Sequence, residues 1–280
     1  MSNDFDHQTI DEFRANHGRL SGLLGERRII LLTTTTATGA TRTTPVEFLH
    51  DERPDGGPRM LLIAVGDADD HPAWYHDLET HSQVTAETGV FTLEAEAESL
   101  PDDERDKLFA RAAEADPTWA DRQAASKLKI PVVTLHPVGG GPNTDREGDF
   151  LLQIHDAFRH ELALIHKEVA TSGPGLGAQL RINCLSLCQG LQHHHNSEDD
   201  QMYPVVDEKH PELAPTLTRL RQEHQQIAVL LEQLQEAVSA TDADRSTVIA
   251  EVERLTIELE AHLDYEEQEL IPVLNRMSLT

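Results

Sequence analysis

Cysteine, positive charge and long apolar runs are all scarce in this sequence. Only Cys184 and Cys188 are present among 280 residues. A disulfide framework is therefore excluded, and a zinc-type site would lack its thiolates. Spaced i, i+4 on one expected helix, the two sulfurs are expected in the core. Lys and Arg number 23 against 50 Asp and Glu, a formal net charge of −27. Such a chain repels nucleic acid and anionic membrane surfaces, so neither is expected as a partner. No apolar stretch approaches the roughly 18 residues of a membrane span, and MSNDFDHQTIDEF lacks the basic-then-apolar layout of a leader. A cytoplasmic location is expected.

What the chain does contain falls into two halves with different periods. From Arg28 to His136 come RIILLTT, TPVEFL, RMLLIAV, QVTAET, VFTLEAEAE and PVVTL, short runs rich in Thr, Val, Leu and Ile, punctuated by Gly, Pro and Asp. They suit antiparallel strands. Helical patterns interrupt them at TIDEFRANH, HPAWYHDLE and PDDERDKLFARAAEA. Residues 1–136 are expected as an α+β domain, and PVGGGPNTDREGD (137–149), with nothing to bury, as a linker.

Over 150–280 the period becomes helical. Four stripes with steps of three and four run through Leu151, His155, Phe158 and Leu162, through Cys184, Leu187, Leu191 and His194, through Leu220, His224, Ile227 and Leu231, and through Leu255, Leu259, His262 and Glu266. The spacing predicts four amphipathic helices around one core, with TSGPGLG and SATDADRS as the turns of two helical hairpins.

Each stripe carries one histidine where a leucine would serve, and two carry a glutamate as well. LQHHHNSEDDQMYPVV returns as EAHLDYEEQELIPVL, with His194 and Glu198 matched by His262 and Glu266. A buried carboxylate without compensation costs several kcal/mol, so two facing each other call for a cation between them. His155 and His224 lie about 15 residues before the hairpin turns, His194 and His262 about 17 or 18 after them, which brings all four imidazoles to one level at roughly 1.5 Å per residue. The i, i+4 spacing sets His and Glu on one helix face. Four imidazoles and two carboxylates suit iron or manganese, and with both carboxylates bridging they fill about eight of the roughly twelve positions of two octahedral ions. Positions remain open for water or O2. His193 and His195 point about 100° to either side of His194, so all three cannot face the core; a supporting role beside the ligands is the functional reading of either. Asp199, Glu223 and Glu267 are solvated helix faces or acceptors for a ligand imidazole.

These motifs (His155-x2-Phe-Arg, His194-x3-Glu198-Asp199, Glu223-His224 and His262-x3-Glu266-Glu267), in order over 150–276, resemble the hemerythrin HHE cation-binding domain. The resemblance implies an up-down four-helix bundle and a non-haem di-iron centre that reacts with O2, peroxide or NO. Oxygen-carrying hemerythrins have a further His four residues after the third-helix His, and here that position is Ala228. The departure argues against simple O2 carriage.

IDEFRANHGRLSG, RIILLTTTTATGATRTTPVEFL, HPAWYHDLETHSQVTAE and KIPVVTL, over about residues 5–136, resemble the deazaflavin-dependent nitroreductase (quinone reductase) family. A split β-barrel with flanking helices is implied, with hydride transfer from a reduced deazaflavin. Where the family has Gly-Arg-Lys-Ser-Gly this chain has Thr35-Thr36-Ala37-Thr38-Gly39, keeping Arg42 as a nearby cation, and Asp67, Asp69 and Asp70 would repel a phosphate. The fold is thus carried further than the cofactor, deazaflavin or flavin, for which Arg42, Trp74, Tyr75 and His76 are the candidate contacts. The aromatic members suit a core cluster as well as a ring-stacking site.

The expectation is a two-domain di-iron oxidoreductase using O2 or reactive oxygen or nitrogen species, with a small-molecule substrate or electron donor. A deazaflavin reductase regulated by the bundle, and an iron or oxygen sensor, are the alternatives.

Overall fold

A computed structural model describes residues 2–53, 57–173, 176–240 and 244–277. The chain divides into two compact units, residues 1–143 and 144–280.

The first unit is a closed six-stranded barrel. Its strands are β1 (Ile29–Thr35), β2 (Thr41–Glu52), β3 (Pro58–Ile63), β4 (Gln83–Glu87), β5 (Phe91–Ser99) and β6 (Val132–Pro142), in the order β1-β2-β3-β6-β5-β4, with every pairing antiparallel. Alternation along β3 shows how the barrel is filled. Leu62 joins Ile30, Leu32, Val133 and Leu135 in one apolar cluster, while Leu61 and Ile63 join Phe109, Trp119 and Val132 in another. Both faces of its Leu61–Ile63 end are covered, so that end is apolar at every position. The flanking helices are α1 (Ser2–Ala15), α2 (Ala73–Leu78), α3 (Asp102–Ala115) and α4 (Thr118–Ala125). Phe109 and Trp119, from α3 and α4, anchor the second cluster; Ile10 and Phe13 of α1 pack on Leu31.

The expected linker is corrected in its first half. Residues 137–142 are the end of β6, where Gly139, Gly140 and Gly141 pair with Glu94, Leu93 and Thr92 of β5. A strand ladder is made by the backbone, so a stretch without side chains to bury can still belong to a sheet. Gly140 has φ of +130°, and a Cβ there would lie 2.4 Å from the Thr92 carbonyl oxygen, which is why this turn of the ladder uses glycine. The next helix begins at Glu147, within the remainder of that span.

The second unit is helical: α5 (Glu147–Thr171), α6 (Ala178–Ser197), a π-helical turn (Glu198–Met202), α7 (Tyr203–Lys209), α8 (Ala214–Ser239) and α9 (Arg245–Leu274). α5 packs on α6 and α9, and α8 packs on the same two, which closes a four-membered ring around one core. The predicted stripes line it: Leu162, Leu187, Leu191, Ile227, Leu231, Leu255 and Leu259 are buried together, with both cysteines among them as free thiols. Burial pushes the Cys188 thiol up to about 12, as befits a packing residue. The two hairpin turns fall partly on 174–175 and 241–243, outside the described residues. Asp244 caps α9, its carboxylate accepting from the Thr247 N–H. Among the described residues no helix is long and apolar enough to cross a membrane.

Candidate metal centre

The four stripe histidines and two glutamates meet inside the bundle. His155, His262 and Glu266 are at most 1% exposed, Glu198 and His224 4%, and His194 9%. α5 supplies His155, the last turns of α6 supply His194, α8 supplies His224, and α9 supplies His262 and Glu266. Glu198 opens the π-helical turn, in which the Tyr203 N–H reaches back to the Glu198 carbonyl. Pro204, which follows, has no N–H to return to that turn, and the wide turn ends there.

Glu198 stands between two sets of imidazoles. One carboxylate oxygen lies 3.2 Å from His194 Nε2 and the other 3.5 Å from His224 Nε2. Glu266 Oε2 lies 3.4 Å from His155 Nε2 and 3.8 Å from His262 Nε2. Its other oxygen accepts a 2.6 Å hydrogen bond from the Tyr203 hydroxyl. His155, His194, Glu198 and Glu266 offer one group of donor atoms mutually within 4.8 Å; His195, His224 and His262 offer a second.

The outer nitrogens of three imidazoles face carboxylates. His155 Nδ1 lies 2.9 Å from Glu267, His262 Nδ1 3.1 Å from Glu223 and His224 Nδ1 3.2 Å from Asp199. A carboxylate can only accept, so the Nδ1 atoms of His155 and His262 carry protons, as an imidazole's outer nitrogen does when its Nε2 binds a metal. Arginines hold the carboxylates in turn: Arg159 donates to Glu267 at 2.6 Å and Arg219 to Glu223 at 2.7 Å, while Arg221 lies 3.8 Å from Asp199. Glu267 and Glu223 are thus acceptors for imidazoles, the second of the two roles expected of the acids beside the motifs, whereas Asp199 Oδ1 and His224 Nδ1 make no hydrogen bond.

Charge inside the cluster is unbalanced. Burial, with repulsion from Glu266 and Asp199, pushes the Glu198 carboxyl well above its ordinary value. Burial also opposes charge on His155 and Glu266, but here it is outweighed: Glu266 and Glu267 raise His155, and His155, His262 and the Tyr203 hydroxyl bring Glu266 down to about 2. His194 is lowered to about 3 by burial and by His155, which keeps it neutral and able to donate a lone pair. Both Glu198 oxygens, Glu266 Oε2 and His262 Nε2 are buried without a hydrogen-bond partner. Buried polar atoms are ordinarily satisfied, so a convergent set of orphan oxygens and nitrogens fits a cation. Oxygen and imidazole donors without sulfur fit iron or manganese.

Sequence reasoning did not choose between His193 and His195. His193 is exposed, whereas His195 is 5% exposed and stacks on His224 with ring centroids 4.2 Å apart and planes inclined by 13°. The signal was present: Cys184, Cys188, Leu191 and His195 continue one stripe in steps of four, three and four, and His195 lies three residues before Glu198.

In the barrel unit the four candidate contacts have different surroundings. Trp74 is buried in the barrel cluster, and Tyr75 lies half-buried against it, its hydroxyl accepting from Ser99. Arg42 donates to Asp77 at 3.1 Å, and Asp77 also accepts from the buried Thr34 hydroxyl. His76 is paired with Asp70 at 2.7 Å, a hydrogen bond that raises its pKa.

Comparison with known families divides the chain at the same place as its contacts do. Residues 148–274 match the hemerythrin HHE cation binding domain, and residues 7–137 match the F420H(2)-dependent quinone reductase family. The first unit is similar to an F420-H2 dependent reductase of known structure, 29% identical, with 39% of this chain and 95% of that chain covered at a TM-score of 0.33. A haem storage protein from Vibrio cholerae is 18% identical over 48% of this chain and 91% of that one, at a TM-score of 0.30.

Proposed function

We propose that the bundle holds two metal ions, iron or else manganese, with His155, His194, His224 and His262 as terminal ligands and Glu198 and Glu266 between the ions. Its work is O2, peroxide or NO chemistry, in which the oxidant takes its electrons from a small organic substrate or from a small-molecule electron donor. When bound, such a pair supplies redox electrons and open coordination positions.

The chain's own residues prepare the place. Glu267 and Glu223 fix the tautomers of His155 and His262 at their outer nitrogens, the Tyr203 hydroxyl holds a proton at Glu266 Oε1, and apolar clusters that include Leu191, Leu259 and Leu220 exclude water. One observation carries this reading: Glu198 has two buried, unpartnered oxygens, each facing a different imidazole set. The test is to load the full chain anaerobically with Fe(II), admit O2, hydrogen peroxide or NO, and follow visible absorption and oxygen uptake. Spectral change with consumption of the oxidant is expected; iron-loaded protein inert to all three contradicts the proposal.

The family match over 7–137 supports a second reading, in which the barrel is a deazaflavin- or flavin-dependent reductase and the bundle regulates it. Cofactor fluorescence titration separates the two. Binding at tens of micromolar or better supports this reading, and none at that concentration removes it.

A further inference from the structure

His195 is the one buried imidazole of the cluster left without a task by the six-donor arrangement. It sits one residue past His194 and three before Glu198, at the end of α6. Its Nε2 is buried and has no hydrogen-bond partner. The ring lies flat against His224 and edge-on to His262, with centroids 5.2 Å apart and planes at 82°. Donor nitrogens of these three residues lie within 4.8 Å of one another. Simple packing would be better served by Leu or Phe here, since a ring nitrogen buried without a partner forfeits the hydrogen bond it makes in water. Ala228, one turn beyond His224 on α8, offers no donor of its own.

We propose that His195 is a fifth imidazole ligand, completing a three-imidazole pocket with His224 and His262, while His155 and His194 serve the other ion and Glu198 reaches both. This rests on reading the bundle as a two-ion site and adds to it a ligand from the end of α6. The sequence pattern that builds it is His-His-x2-Glu, in which consecutive histidines are shared between neighbouring ions because a rotation of about 100° aims them at different points of one helix-facing groove.

The experiment uses the metal-free full chain and Co(II) or Fe(II) under a competing chelator, read by metal-to-protein ratio and by the visible spectrum of the cobalt form. The wild-type chain is expected to take two ions. His195→Ala should keep one and weaken the other at least tenfold, and His195→Gly should regain the second when free imidazole is added. His193→Ala, a change at the exposed neighbour, should behave as wild type. Two ions bound by His195→Ala with wild-type affinity overturns the assignment of His195 and leaves the two-ion site standing, whereas a wild-type chain that binds none overturns both. Should His195→Ala fail to fold, paramagnetic proton NMR of the wild-type cobalt form decides: five exchangeable imidazole N–H signals support the proposal, and four refute it.

Discussion

Replacing Glu198 by Gln isolates the energetic cost that a cation is proposed to remove. In the metal-free protein the Glu198 carboxyl is raised well above its ordinary value of 4.5 by burial and by the charges of Glu266 and Asp199. An acid whose folded pKa is raised keeps its proton in the folded state after the unfolded chain has released it, so stability falls as pH rises through that window. The slope for one such group is about 1.4 kcal/mol per pH unit. Below 6.5, His194 and His195 contribute the opposite slope, because their folded pKa values are depressed and acidification protonates the unfolded chain first. Above 6.5 that contribution is spent. Two groups then lower stability together: Glu198, and His155, whose raised pKa gives stability that is lost as pH climbs through it.

Glu198→Gln deletes the first of these. Its stability relative to wild type should therefore grow as pH rises above 4.5, at about 1.4 kcal/mol per pH unit for as long as the folded carboxyl stays protonated. The assay is urea unfolding in the presence of a chelator, followed by far-UV circular dichroism for the helices. Both tryptophans, Trp74 and Trp119, lie in the barrel unit, so tryptophan fluorescence should report a transition unmoved by the substitution. Saturating metal should reverse the order, because the wild-type chain then gains binding energy that the variant lacks. Parallel pH profiles for the two metal-free proteins would refute the reasoning.

Glu267→Gln removes the charge that orients His155 and accepts its Nδ1–H, and should lower metal affinity by about 10- to 100-fold with little change in secondary structure; unchanged affinity in a chelator competition would contradict the role. Tyr203→Phe leaves Glu266 Oε1 without its donor and should cost the bundle about 1–3 kcal/mol in urea unfolding. A change within a few tenths would mean that the hydrogen bond contributes nothing. Asp77→Ala strands the buried Thr34 hydroxyl and frees Arg42, so the barrel transition read by tryptophan fluorescence should lose about 1–3 kcal/mol and the helical transition none; an unmoved barrel transition would refute it.

Much of the fold was legible because period is a strong signal. Six apolar, β-branched runs became six strands, and four stripes stepping by three and four became the bundle helices. Residues 137–142 carry no strand pattern because such patterns are written in side chains, while Gly139, Gly140 and Gly141 join the sheet through backbone alone. The short helix α4 was not anticipated; its anchor, Trp119, is identified by what it touches on β3 and α3, which no local pattern shows. In the site, the meeting of His155, His194, His224, His262, Glu198 and Glu266 follows from register. Which acid serves which imidazole does not, since Glu267 of α9 answers to His155 of α5 and Glu223 of α8 to His262 of α9, pairings made across helices rather than along them. His195 lay on the core stripe all along, but a local angle measured from His194 alone could not separate it from His193.

The central claim is that the buried acids and imidazoles of the bundle exist to hold a pair of ions. Anaerobic titration of the metal-free full chain with Fe(II), read by bound metal per chain, tests it most directly. Saturation at two ions per chain, abolished when Glu198 and Glu266 are both replaced by Gln, is the predicted result; a chain that binds no stoichiometric iron or manganese contradicts the account.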